Sequence, residues 1–166
     1  VAPPWYELPP RGYGGLEMIA SALIDGLVDR VHDVTLFGAG TRTATKASFV
    51  STTKELQYPR LGETMPDVLH AARVNRLLAA GDFDVIHAQD CLSANAALAL
   101  RDEGAIDRVI RTVHHVDDFT SPSLIECQDR SILAPDHLLC VSAPWVERLR
   151  RDYGVAAGLV PNGVDP

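Results

Sequence analysis

The 166-residue chain contains no apolar run that approaches the ~20 residues needed to cross a bilayer. Its first residues, Val1, Ala2 and Pro3, do not have the charged and apolar regions of a signal peptide. A broad basic surface is also missing, because 22 acidic residues against 15 basic ones give a net charge of −7. These absences argue against a transmembrane segment and against binding of nucleic acid through a basic face.

Cysteine is scarce, and its spacing excludes the common metal motifs. Cys91, Cys127 and Cys140 are far apart, so no C-x-x-C pair occurs. Reduced thiols of a cytosolic protein are the plain interpretation. We therefore expect a cytoplasmic location, and a peripheral position at the inner membrane face stays open.

Short apolar segments alternate along the chain with segments of helical period. The predicted strands are 33–38, 47–50, 84–88, 108–114, 137–142 and 158–161, and the predicted helices are 16–30, 65–80, 93–103, 123–133 and 144–153. This alternation favours right-handed crossovers and a mostly parallel sheet. The sequence predicts an α/β fold, a Rossmann-like doubly wound parallel sheet in three layers (α/β/α). Its first strand is largely missing, because only Val1 and Ala2 precede the prolines.

A glycine-rich segment precedes the first predicted helix. Gly12, Gly14 and Gly15 let the backbone approach a ligand, and free amides at a helix start suit a phosphate or another anion. A plain tight turn is the alternative. The segment does not match G-x-G-x-x-G, and no acidic residue ends the strand at 33–38, which disfavours a dinucleotide site.

Polar side chains follow three predicted strands, where doubly wound sheets bind their ligands. They are His87, Gln89 and Asp90 after the third strand, His114, His115, Asp117 and Asp118 after the fourth, and Ser142 after the fifth. Histidine can donate to or accept from hydroxyls and phosphates, although a single histidine is often structural. In an extended segment His114 and His115 point to opposite sides, so we expect no shared metal ion.

Several of these segments together resemble family 4 retaining glycosyltransferases. The similar segments are 9–17, 27–37, 84–90, 112–114, 141–142 and 160–165, which include the Pro-Asn-Gly-Val-Asp sequence near the end. The resemblance implies a GT-B enzyme with two Rossmann-like domains. In that case residues 1–160 form the N-terminal acceptor-side domain, residues 161–166 begin the interdomain hinge, and a C-terminal donor domain follows.

The resemblance also implies chemistry. Such an enzyme moves a sugar from a nucleotide-sugar donor to an acceptor hydroxyl with retention, usually without a metal or other cofactor. Gly12, Gly14 and Gly15 then lie near the donor diphosphate, and His114 is the catalytic candidate near the transferred sugar. The acceptor-binding candidates are Glu17, His87, Asp90, His115, Asp117, Asp118 and Ser142. We expect the chain alone to be inactive without its C-terminal domain, and a homodimer stays open.

The chain departs from the family pattern at two positions. Val31 stands where relatives usually carry a glycine that ends the first helix, and a β-branched residue is strained in the left-handed region. A reshaped helix end is therefore expected. His115 stands where many relatives carry an acidic residue.

Two other functions remain open from the residues alone. The first is a stand-alone Rossmann-like module that binds a small anion at the glycine-rich segment. The second is a metal-dependent hydrolase that uses His87, His114, His115 and Asp118 as ligands.

Overall fold

The computed structural model describes residues 1–12 and 14–161 of the chain. It divides into two compact units, Val1–Val74 and a second unit from Asn75 onward. The helices are α1 Gly15–Val28, α2 Thr64–Leu78, α3 Cys91–Asp102, α4 Pro122–Leu133 and α5 Ala143–Tyr153. The strands are β1 Thr35–Ala39, β2 Ser48–Thr53, β3 Val85–Ala88, β4 Arg108–Val113, β5 His137–Cys140 and β6 Gly158–Leu159.

The first unit packs α1 against a parallel pair of strands. β1 and β2 pair in parallel, with Thr35 opposite Ser48. One face of α1 is buried, and Ala20 and Ile24 join Leu36 in the core. Ala2 lies beside β1, where its amide donates to the Phe37 carbonyl at 3.0 Å. Among residues 1–12 and 14–161, no strand precedes α1. The bond from Ala2 to Phe37 nevertheless resembles the pairing of a strand beside β1.

The chain after α1 turns through a left-handed residue, and here the expected reshaping was wrong. Val31 has φ 69° and keeps the left-handed conformation that favours glycine. Its amide donates to the Val28 carbonyl at 2.9 Å, and the His32 amide donates to the Leu27 carbonyl at 3.2 Å. These two bonds form a Schellman motif. The motif satisfies carbonyls at the helix end, so valine adopts the strained conformation instead of changing the turn.

Replacing Val31 by glycine should stabilise the protein. The left-handed conformation costs a residue with a Cβ about 1–2 kcal/mol, and the greater freedom of glycine in the unfolded chain offsets part of the gain. Because the Val31 side chain is 93% exposed, no core packing is lost. We expect the free energy of unfolding to rise by about 1 kcal/mol and Tm by about 2–4 °C. Thermal unfolding measures this. Val31→Ala keeps a Cβ and should show only part of this increase in stability. A Val31→Gly protein that is no more stable than wild type would contradict the left-handed conformation of Val31.

The second unit is a four-stranded parallel sheet in the order β3-β4-β5-β6. Helices α3 and α5 each begin after a two-residue connection from β3 and β5, whereas α4 follows β4 after the eight-residue loop 114–121. Their starts follow the expected chemistry, since Asp90 caps α3 and Pro122 and Pro144 lie in the first turns of α4 and α5. Gly154 ends α5 at φ 69°. The core contains Val113, Ile132, Leu138, Cys140 and Leu149, with Trp145 packed against it.

The predicted fold class is confirmed. Five helices alternate with parallel strands in the described part of the chain, as a Rossmann-like three-layer α/β/α fold requires. The division into a domain of residues 1–160 and a hinge stays a prediction, and hinge residues 162–166 lie outside the described residues. Within the described residues, no helix has the length and apolar character to span a membrane.

Candidate functional site

The carboxyl ends of β3 and β4 bring together His114 and Gln89. The two strands pair in parallel, with Ala88 opposite Arg111, so the residues that follow them meet at one edge of the sheet. His114 Nε2 lies 2.9 Å from Gln89 Oε1. Because an amide oxygen only accepts, His114 Nε2 carries the proton and Nδ1 keeps a lone pair. The glutamine therefore fixes both the orientation and the tautomer of the imidazole.

His87 lies one residue before the end of β3 and bonds to β4. Its Nε2 is 2.7 Å from Thr112 Oγ1. Burial lowers the pKa of His87 to about 4 and also lowers the pKa of His114 to about 4. Both imidazoles are neutral at pH 7 as a result. A base with so low a pKa takes up a proton poorly at neutral pH, so hydrogen bonding is the chemistry that His114 can supply there.

Asp90 and Ser142 each directly precede a helix. Asp90 Oδ1 accepts a hydrogen bond of 2.7 Å from the Ser93 amide and so caps α3. Its other oxygen, Oδ2, is buried without a hydrogen-bond partner among the described residues. Ser142 is the N-cap residue of α5, but its side chain makes no capping bond. Asp90 thus has a structural role in its own right, and the Ser142 hydroxyl is not committed to one.

The residues after His114 make contacts of their own with α4 and α5. Gln128 of α4 holds this loop through two bonds to the Asp117 backbone, at 2.8 and 2.9 Å. His115 is exposed, with its Nε2 3.4 Å from an Asp117 carboxylate oxygen. Asp118 forms an ion pair with Arg148 of α5 at 3.2 Å. The sequence cluster 114–118 is therefore divided, and His114 alone of its four candidates bonds to Gln89.

Asp117 and Asp118 line an open depression of about 770 Å³ beside α4 and α5. Its lining mixes apolar and charged groups and includes Phe119, Arg148 and Tyr153. His114 is not among its lining residues. The two aspartates therefore line a depression to which His114 does not contribute.

The glycine-rich segment of the first unit separates into one constrained glycine and two unconstrained ones. Gly14, the N-cap residue of α1, has φ 153°, and a Cβ there would lie 2.8 Å from Pro10 Cβ. A Cβ on Gly12 or Gly15 would meet nothing within 4 Å. The N-cap residue of α1 is a glycine, which has no side chain to cap the helix. Among the first-turn amides, which lack helical partners, that of Glu17 donates to its own carboxyl group.

Glu17 lies in the first turn of α1 with only 4% of its surface exposed. Burial raises the pKa of Glu17, and its Oε2 would be 3.1 Å from a Cβ built on Gly14. The carboxyl group thus lies against the constrained glycine. Burial favours its neutral form, in which a carboxylic acid can donate a hydrogen bond.

The histidines do not assemble into a metal centre. Among residues 1–12 and 14–161, no group of three His, Cys, Asp or Glu side chains is placed to hold a metal ion. His87 bonds to Thr112, His114 bonds to Gln89, and His115 pairs with Asp117. This geometry gives the hydrolase alternative no support.

Sequence reasoning named Gln89 among the polar residues at the strand ends without choosing it as a site residue, and it missed Arg111. Gln89 lies between the site candidates His87 and Asp90. The rule that ligands meet the carboxyl ends of parallel strands pointed to it as well. Arg111 lies in the middle of β4 and is buried. The only feature of the sequence that could have drawn attention to Arg111 is a charged residue within the apolar segment 108–114. Its Nε has no hydrogen-bond partner among the described residues, and its guanidinium donates to the Thr112 carbonyl.

Comparison with known proteins places the chain in a family. A search among curated proteins found no match. The family model for Glycosyltransferase Family 4 matches residues 13–166, which include Gly14 and Gly15 of the glycine-rich segment and the ends of β3 and β4. This match supports a glycosyltransferase-type function. The chain belongs to glycosyltransferase family 4.

Proposed function

We propose that the chain is the acceptor-side, N-terminal half of a GT-B glycosyltransferase. The enzyme moves a hexosyl group from a nucleotide-sugar donor to an acceptor hydroxyl and retains the anomeric configuration. Family membership supports the reaction class. The hydrogen bond between His114 and Gln89 is the observation that carries the site assignment, because it fixes a neutral imidazole at the carboxyl edge of the sheet.

His114 acts as a hydrogen-bonding group in this proposal. The Nε2 proton of His114 is donated to Gln89. Nδ1 is therefore the ring nitrogen whose lone pair can accept a hydrogen bond from a hydroxyl of the transferred sugar or the acceptor. The low pKa of His114 keeps that lone pair available at neutral pH. A hydrogen-bonding group fixed in advance stabilises a transition state without reorganising during the reaction.

The start of α1 is the proposed site for the donor diphosphate. Its N-cap residue, Gly14, has no side chain that could cap the helix start, and the positive end of the helix dipole favours an anion. Gly12 and Gly15 leave open space where other residues would place a Cβ. These amides stabilise the leaving diphosphate by hydrogen bonding, so the proposal requires no metal. Glu17, Asp90, His115, Asp117, Asp118, Ser142 and His87 remain acceptor-binding candidates.

The proposed setting of the enzyme follows the family resemblance. A C-terminal domain supplies most donor contacts, and the chain alone does not catalyse transfer. The proposed location is the cytoplasm, with the acceptor unidentified.

Alanine substitutions in the glycine-rich segment separate a structural role from a ligand role. Gly14→Ala should destabilise the protein by about 1–3 kcal/mol, because it forces an unfavourable φ and a contact with Pro10. Gly15→Ala places its Cβ in open space and should leave Tm near that of wild type. If the diphosphate approaches this backbone, Gly15→Ala should nevertheless raise the KM for the donor severalfold. Thermal unfolding and donor kinetics of the intact enzyme measure both effects, and an unchanged KM in Gly15→Ala would contradict the proposed diphosphate site.

A donor screen of the full-length protein tests the proposed function. Nucleoside diphosphate release is followed for a panel of nucleotide sugars, with and without a mixture of hydroxyl acceptors. The proposal predicts release with at least one donor and faster release when an acceptor is present. Binding of a nucleotide sugar or small anion with no release under any condition would favour the anion-binding module instead.

A further inference from the structure

Cys91 and Cys127 lie in contact where α3 packs on α4. Cys91 is the first residue of α3, Cys127 lies within α4, and the Cys91 thiol hydrogen-bonds to the Cys127 sulfur. Asn95 Nδ2 joins the same group. It lies 2.9 Å from the Cys91 carbonyl oxygen, 2.8 Å from the Cys127 carbonyl oxygen and 3.4 Å from Cys127 Sγ. One side chain thus holds both cysteines together.

The interaction within the pair shifts the pKa values of the two cysteines in opposite directions. Hydrogen bonds from the Cys91 thiol and the Asn95 amide lower the pKa of Cys127. The same contact raises the pKa of Cys91, which therefore stays protonated as the donor. The buried guanidinium of Arg111 lies close enough to stabilise negative charge on either sulfur. A thiolate beside a thiol and a cation is the arrangement found in reactive cysteine pairs.

Exposure separates this pair from the third cysteine. Cys91 and Cys127 are partly exposed, whereas Cys140 on β5 is fully buried in the core of the second unit. A small solvent-borne oxidant therefore reaches the pair and not Cys140. The structure thus contains an internal reference thiol.

We propose that Cys91 and Cys127 form a reversible disulfide that links α3 to α4 and is an oxidation site of this protein. The oxidant is a peroxide or a small disulfide. The proposal is independent of the transferase function, because it rests on the contact of the two thiols. It also places a covalent link two residues after Gln89.

With hydrogen peroxide the atoms balance in two steps. The Cys127 thiolate attacks one peroxide oxygen, so an S–O bond forms, the O–O bond breaks, and the departing hydroxide takes a proton to become water. The Cys91 sulfur then attacks Cys127 Sγ, so the S–S bond forms and the S–O bond breaks. The second hydroxide takes the proton that Cys91 loses. The dithiol is oxidised by two electrons, and the peroxide is reduced to two waters. With a small disulfide, exchange passes through a mixed disulfide and releases two thiols.

Thiol counting and peptide mapping test the proposal on the wild-type chain. The native protein is treated with hydrogen peroxide or oxidised glutathione, alkylated, and digested without reduction. Free thiols should fall from three to one per chain, with a Cys91–Cys127 peptide that dithiothreitol releases and with Cys140 recovered unmodified. Separate recovery of Cys91 and Cys127 as thiols or sulfonic acids from folded protein would overturn the proposal.

Variants and a denatured control make the result specific. Cys140→Ala should form the same link, whereas Cys91→Ser and Cys127→Ser should not. The same oxidation in denaturing urea should give a mixture of the three pairings, because the contact of the two thiols exists only in the folded chain. Equal mixtures from native and denatured protein would also overturn the proposal.

Discussion

Replacing His114 by alanine is expected to lower the turnover of the intact transferase by roughly 100- to 1,000-fold, the usual cost of removing one fixed hydrogen-bonding group from a transition-state site. The expected loss appears in kcat more than in donor KM, because the proposed bond strengthens as the sugar is transferred. Initial rates of nucleoside diphosphate release with a fixed acceptor measure both parameters. A kcat near the wild-type value would remove His114 from the site.

Two variants separate a role of the imidazole from a general loss of structure. Gln89→Ala removes the partner of His114 Nε2 and should lower kcat by about fivefold, since one hydrogen bond contributes about 1 kcal/mol. His137→Ala is the matched control, because His137 is exposed at the amino end of β5, far along the strand from the carboxyl edge. It should keep the wild-type rate. A Gln89→Ala variant as active as wild type would contradict the positioning role of the glutamine.

The free energy of unfolding is expected to fall steeply as the pH is lowered from about 6.5 toward 4. His87 and His114 keep a pKa of about 4 in the folded protein, whereas the ordinary value is 6.5. Between these two values the unfolded chain binds protons that the folded chain does not bind. Stability is therefore fully present above about pH 6.5 and is lost as the pH falls toward 4. Each histidine contributes about 3 kcal/mol to that loss at most.

Urea unfolding at several pH values between 5 and 6.5 measures this dependence. This window lies above the range in which most carboxylates titrate. Fluorescence of Trp145 in a Trp5→Phe background reports on the second unit, because Trp145 packs against its core. The His87→Gln, His114→Gln double variant should flatten the slope of stability against pH by about one proton at pH 6.5 and nearly two at pH 5. Its absolute stability does not enter the comparison, and a slope equal to that of wild type would contradict the buried neutral histidines.

The sequence allowed the fold to be predicted because its signals were local and repeated. Pro144 and Gly154 bound α5, and the apolar segments gave each strand to within a few residues. The observed strand ends differ from the predicted ones because a strand ends where its pairing with a neighbour ends. The strand predicted at 47–50, for example, extends to Thr53, which lies opposite Ala39. The 3-10 turn at Tyr58–Arg60 lay in a polar segment with no period and was not predicted. At Val31 local strain was expected to reshape the turn, but two backbone bonds hold it in the left-handed form.

The sequence allowed the location of the site residues to be predicted, but not which of their side chains contact each other. The rule that ligands meet the carboxyl ends of parallel strands pointed to His87, Asp90 and His114. Which side chains meet there depends on the register of β3 and β4, which the sequence does not contain. For the same reason the contact between Cys91 and Cys127 was not visible, because it depends on how α3 packs against α4.

Analysis of the transferred product tests the central claim most directly. The full-length protein is incubated with the donor found in the screen and a matching acceptor, and the product is examined by mass spectrometry and NMR. The proposed function predicts an acceptor that gains one sugar whose anomeric configuration equals that of the donor. A product of inverted configuration would contradict the retaining mechanism, and donor turnover that yields only free sugar with every acceptor would contradict the assignment as a glycosyltransferase half.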